Sequence, residues 1–126
     1  MTDIPKQIEM WLKSADEDFS VAGHLIENGK FRHGLFFLHL ALEKVIKAHY
    51  CKNQNKVPPK IHNLVRLSRL AGIETDIERQ DMLATLNRFC LEGRYPEGLS
   101  IIPDKNEALH YLQIAGEVFK WLKRQL

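Results

Sequence analysis

The stretch from Lys30 to Lys52 constrains the fold more than any other part of the chain. Leu35, Leu38, Leu42, Val45, Ile46 and His49 recur at three- and four-residue steps, and Phe37, Ala41 and Ala48 widen the stripe. That period belongs to an α-helix. A helix apolar over most of its girth must be covered on most sides, as the central helix of a bundle is. Its polar residues are therefore conspicuous.

The rest of the sequence supplies the cover. From about residue 5 to 28, Ile8, Trp11, Leu12, Ala15, Phe19, Ala22 and Ile26 form one stripe, with Lys13, Glu17, Ser20 and Glu27 away from it. Pro5 suits a first turn and Asn28-Gly29 a helix stop. A polar loop with Pro58-Pro59 interrupts the chain, and a short helix from about His62 to Leu70 should turn Leu64, Leu67 and Leu70 inward before Gly72 ends it. Thr75-x-x-Glu78 has the capping-box pattern for a fourth helix, whose buried face would be Leu83, Leu86, Phe89 and Cys90. After an irregular segment, Arg94 to Pro103, Asp104-x-x-Glu107 should cap a fifth helix to about Arg124, built on Ala108, Leu112, Ala115, Phe119 and Leu122. Alternation of the kind a strand needs never persists. The expected fold is all-α: an up-down antiparallel bundle of about five helices, four long and one short.

With 126 residues the chain suits one domain, 1–126, and 44% hydrophobic residues suffice for a core without disulfide or metal staples. Cys51 and Cys90 stand far apart in apolar helical contexts, which reads as packed, reduced thiols. The start, Met1-Thr2-Asp3-Ile4-Pro5, lacks the basic and apolar regions of a signal peptide, and no apolar run approaches the ~20 residues that span a bilayer. A cytoplasmic protein without a membrane partner is expected. A net charge of +2 is too small to predict nucleic-acid binding, so any such surface would be a local patch. His24, His33, His39, His49, His62 and His110 contain no i,i+4 pair and no cysteine cluster, so no metal site is expected. No glycine-rich phosphate loop occurs.

The central helix also carries recognisable residues. Ala41-Leu42-Glu43-Lys44-Val45-Ile46-Lys47-Ala48 resembles the signature of the HEPN family. Trp11, Ala15 and Asp18 match the family's opening Trp-x3-Ala-x2-Asp helix. Lys30-Phe31 after Gly29 resembles its first interhelical turn, and His62-Asn63-Leu64 its His-Asp/Asn-Leu. Arg94-Tyr95-Pro96 matches the Arg-Tyr-Pro that follows helix four in one branch. These motifs stand in order over nearly the whole chain. The resemblance implies a helical bundle with an added short helix, usually dimeric. Members often sit beside a small nucleotidyltransferase in toxin–antitoxin type pairs. Some bind nucleotides, and others are metal-independent RNases.

The family's RNases carry Arg, four to six residues, then His late in the domain, for a scissile phosphate and for proton transfer at a ribose 2′-oxygen. Here the late position reads Arg94-Tyr95-Pro96-Glu97-Gly98-Leu99-Ser100, and no histidine follows until His110. Arg32 and His39 fit a looser spacing and share one face of helix two, since seven steps of 100° return to within about 20°. They are either a displaced catalytic pair or a solvated helix-start arginine and a histidine at a helix contact.

The candidate ligand-binding residues are Glu43, Lys44, Lys47, His62, Arg94 and Tyr95. Glu43, Lys44 and Lys47 make either a polar seam whose lysines meet phosphate or a plain Glu43–Lys47 i,i+4 pair worth a few tenths of a kcal/mol. His62 is either an anchor close to Lys44 or Lys47 or a loop-fixing hydrogen bond, and Asn63 could cap the third helix. Arg94 and Tyr95 either offer a guanidinium and an aromatic face to a phosphate and a base, or shape the exit of helix four. The leading expectation is a non-catalytic module that dimerises and binds a nucleotide, a small nucleotidyltransferase partner, or both, with no resident cofactor. An RNase toxin acting on RNA and a purely structural oligomerisation domain are the alternatives.

Overall fold

A computed structural model describes residues 3–94 and 103–126. Five helices follow one another: α1 (Ile4–Glu27), α2 (Phe31–Gln54), α3 (Leu64–Leu70), α4 (Ile77–Arg94) and α5 (Lys105–Arg124). They form the expected up-down bundle, four long helices and one short. No described helix is long and apolar enough to cross a membrane.

Local chemistry sets most helix ends. Asp3 accepts from the Lys6 amide at the start of α1, beside Pro5. At its end Gly29 takes φ +81°, and the amides of Gly29 and Lys30 reach back to the carbonyls of Ile26 and Leu25. This Schellman closure needs a residue free to enter the left-handed region. Gly72, at φ +76°, ends α3 the same way, with Ile73 reaching Ser68. At α5 both halves of the Asp104–Glu107 capping box form. The box expected at Thr75 does not set the start of α4. Asp76 does so instead: its carboxylate accepts the Arg79 amide and pairs with the Arg79 guanidinium, so the helix opens one residue later. Helix α3 also begins later than its expected His62, because Asn63 is its cap. Leu70, expected inward, is 42% exposed, and Ala71 fills the core there.

Helix α2 is central. Thirteen of its 24 residues are buried, against three of the 24 in α1. Gly34 explains how closely those two helices approach. A Cβ at that position would lie 2.5 Å from Ile26 Cγ1 and 3.1 Å from the Ala22 carbonyl oxygen. Phe19 of α1 stacks on Phe119 of α5 with ring centroids 4.6 Å apart, and Phe89 of α4 meets Tyr111 of α5. The buried His49 of α2 donates from Nε2 to the Leu122 carbonyl of α5, 2.7 Å away. Leu35, Leu38, Leu42 and Ile46 are wholly buried, and truncating such a leucine to alanine costs about 2–5 kcal/mol. Cys51 and Cys90 are buried thiols not joined in a disulfide.

Candidate functional site

Three charged or polar side chains lie buried one turn apart along α2: His39, Glu43 and Lys47. Glu43 is the hub. One carboxylate oxygen accepts from Lys47 Nζ at 2.9 Å and the other from His62 Nδ1 at 2.9 Å. The Glu43–Lys47 i,i+4 pair thus exists, but inside the protein, with side chains only 5% and 8% exposed. The Trp11 ring of α1 lies 5.2 Å from the lysine nitrogen, a cation–π contact that covers the charge.

His62 completes the network from the loop before α3. A carboxylate can only accept, so the ring donates from Nδ1. Its backbone carbonyl accepts from His39 Nε2 at 2.8 Å. His39 therefore carries its proton on Nε2, and its Nδ1, 3.9 Å from Glu43 Oε1, has no hydrogen-bond partner. Burial pushes the His39 imidazole below its ordinary value despite the nearby carboxylate, so it stays neutral. Glu43 behaves oppositely. Burial pushes its carboxyl up, but the hydrogen bonds from Lys47 and His62 outweigh that and hold it below the ordinary range, so it stays ionised.

Asn87 of α4 had no role in the sequence reading, yet it fixes this loop. Its oxygen accepts from the Leu64 amide at 2.8 Å and its nitrogen donates to Asn63 at 3.1 Å. No local pattern announces that contact, which depends on how α3 meets α4. Another feature was legible and was missed. From Lys44 to Ile73 the sequence contains no acidic residue. Within that run Lys56, Lys60, Arg66 and Arg69 are exposed and make no ion pair among the described residues.

The other candidates separate. Lys44 turns toward α1, pairing with Asp18 at 2.6 Å and donating to Ser14 at 2.7 Å. His62 reaches Lys47 only through Glu43 and does not touch Lys44. Arg32 is half-buried at the start of α2, whereas the His39 ring is fully enclosed about 10 Å further along the axis. Arg94 is the last residue of α4, but its side chain and Tyr95 lie outside the described residues. Among the described residues no group of three His, Cys, Asp or Glu could hold a metal ion. A cavity of about 370 Å³ between the start of α4 and the end of α5 contains none of the candidates.

Several residues on which the family resemblance rests meet around α2: Trp11 covers Lys47, Asp18 holds Lys44, and His62 holds Glu43. The profile of the HEPN domain matches residues 8–125. The chain belongs to the HEPN domain family. Two solved structures share the fold. TT1696 from Thermus thermophilus is 19% identical, with a TM-score of 0.80 over 95% of this chain and 98% of that one. ST0689, described as an archaeal HEPN homologue, is 20% identical, with a TM-score of 0.73 over 94% and 96%. No curated protein sequence matches the chain. At these identities the two structures speak for the HEPN fold alone.

Proposed function

We propose that this HEPN domain is a non-catalytic binding module. It pairs with a second copy of itself and takes a nucleotide, or a small nucleotidyltransferase protein of a toxin–antitoxin type pair, on the face where the Glu43 network reaches the surface. One observation carries the reading: a buried Glu43–Lys47 pair leads outward to His62, whose side chain is 43% exposed. Buried ion pairs contribute little net stability, and apolar residues of similar size often serve a core as well or better. A network retained at that cost, with one edge at the surface, supports a role beyond holding the bundle together. The Arg94-Tyr95-Pro96 motif would mark the branch and offer a guanidinium and an aromatic face suited to a phosphate and a base.

Metal-independent RNase chemistry has less support, since His39 is enclosed and hydrogen-bonded to a backbone carbonyl. Thermal melting with each of the four ribonucleoside triphosphates, beside light scattering, tests the binding reading. The expected results are a higher melting temperature with at least one nucleotide, a mass twice the 14.7 kDa of the chain, and intact RNA after incubation. A ligand at a hundred times its dissociation constant stabilises by about 2.7 kcal/mol, well within reach of the measurement. No shift with any nucleotide together with a monomeric mass would end this reading.

A further inference from the structure

We propose that the His62 loop reads ribose: His62 Nε2 accepts a hydrogen bond from a ribose hydroxyl, while the acid-free strip from Lys56 to Arg69 holds the neighbouring phosphate. Resting on the nucleotide reading above, this names the ligand class, a ribonucleoside phosphate, and the atom that distinguishes it from a deoxyribonucleoside phosphate.

The tautomer follows from the hydrogen bonds. A neutral imidazole has one ring proton, and which nitrogen bears it is set by the bond that the other nitrogen makes or lacks. The Glu43 carboxylate, held ionised by Lys47, fixes that proton on Nδ1 of His62. Nε2 is left with a bare lone pair and no protein partner among the described residues. In the unprotonated ring this nitrogen can only accept, so the ligand group that meets it must donate. A hydroxyl does so, and a phosphate oxygen at neutral pH does not.

Position is fixed as tightly as the proton. His39 clamps the His62 carbonyl, Glu43 clamps its ring, and Asn87 clamps Asn63 and Leu64. The loop cannot turn the ring without breaking bonds to buried groups on α2 or to Asn87 of α4. An acceptor pre-set in this way loses little freedom on binding, which is how a single hydrogen bond becomes selective.

Charge completes the match. Lys60 precedes His62 by two residues, so their Cα atoms lie within about 7 Å. Arg66 follows by four residues, on the first turn of α3, and both side chains are exposed. Lysine and arginine without local acidic partners suit a phosphate. Lys44 and Lys47 do not serve here, because Asp18 and Glu43 already hold them.

Three measurements test this. In the free protein, at a pH above the ordinary histidine range, the imidazole ¹⁵N spectrum should show His62 as the Nδ1–H tautomer in wild type but not in the double change Glu43→Met with Lys47→Met, which leaves Nδ1 no acceptor. By calorimetry, adenosine triphosphate should bind about three- to tenfold more tightly than its 2′-deoxy or its 3′-deoxy form, the worth of one net hydrogen bond. That difference should vanish in His62→Ala and in His62→Phe, a pair that separates loss of the acceptor from loss of the ring. Lys60→Ala and Arg66→Ala should weaken the ribose and deoxy forms equally and lower the salt dependence. An oligoribonucleotide compared with its DNA counterpart distinguishes a strand from a free nucleotide as the source of the hydroxyl. An Nε2–H tautomer would overturn the proposal. So would a ribose preference that is absent or survives both His62 variants, and in that case the nucleotide reading stands while this one falls. Failure of every nucleotide and strand to bind would remove both.

Discussion

Glu43 and Lys44 are neighbours in sequence and serve different seams of the same helix. Lys44 faces α1, where Asp18 and Ser14 hold it and Gly34 lets the two backbones close on Ile26. The charge of Lys44 is matched inside the protein. Glu43 faces the loop before α3, where one of its partners, the His62 ring, stands half in solvent and where the buried His39 ring meets the loop backbone. The α1 seam is what a bundle needs in order to stand. The loop seam holds more buried polarity than standing requires, and that excess is where function is to be sought.

The largest expected effect breaks the second seam. Glu43→Ala leaves Lys47 buried without a counter-ion and should cost about 3–5 kcal/mol in urea denaturation. The double change Glu43→Met with Lys47→Met should recover most of it, since a volume-matched apolar pair restores the core. A double variant as weak as the single one would mean that the seam is structural after all. Next comes Gly34→Val on the α1 seam. Its added atoms meet Ile26 and the Ala22 carbonyl, which places it at the upper end of the ~1–3 kcal/mol range for overpacking. Lys44→Ala should cost less, about 1–2 kcal/mol, between the ~0.2–1 of exposed pairs and the ~3–5 of buried ones.

Acidity should separate the seams most gently. His39 and His49 are held below the ordinary 6.5 by burial. Below 6.5 the unfolded chain binds protons that the folded one refuses, so the stability these histidines contribute is complete above that value and is lost as pH falls beneath it. Glu43, held below 4.5, adds a second loss at lower pH, when its carboxylate is finally protonated. The urea midpoint should therefore decline through both ranges. His39→Leu should flatten the upper decline in part, leaving the portion due to His49, and Lys44→Ala should leave the shape of the curve unchanged. A curve that His39→Leu does not alter would place the pH response elsewhere.

Much of this fold is legible because helix period and helix caps are local. The α2 stripe, the Asp104–Glu107 box and Asn28-Gly29 each lie within a few residues of what they control. Where two local patterns overlap, as at Thr75 and Asp76, only the folded contact decides between them, and the Arg79 amide and guanidinium chose Asp76. The site was less legible for the same reason. Glu43 and Lys47 are four apart, so their pairing can be read, but their burial depends on Trp11, thirty-six residues from Lys47. His62 lies nineteen residues from Glu43 and Ser14 thirty from Lys44, so only packing sends the two neighbours in different directions. The missing acids between Lys44 and Ile73 needed no structure at all, but a net charge of +2 over the whole chain conceals them.

The chain has two tryptophans, and the fold has put a cation against each. Trp11 lies beside Lys47, and Trp121 lies under Arg79, whose guanidinium carbon is 4.0 Å from the ring centre. Indole emission responds to a nearby charge and to the entry of water, so the protein carries two optical reporters, one at the polar network and one where α4 starts beside the end of α5. Silencing either with phenylalanine leaves the other to speak alone. Denaturation followed at each colour centre would show whether the bundle opens in one step or lets go at one end first.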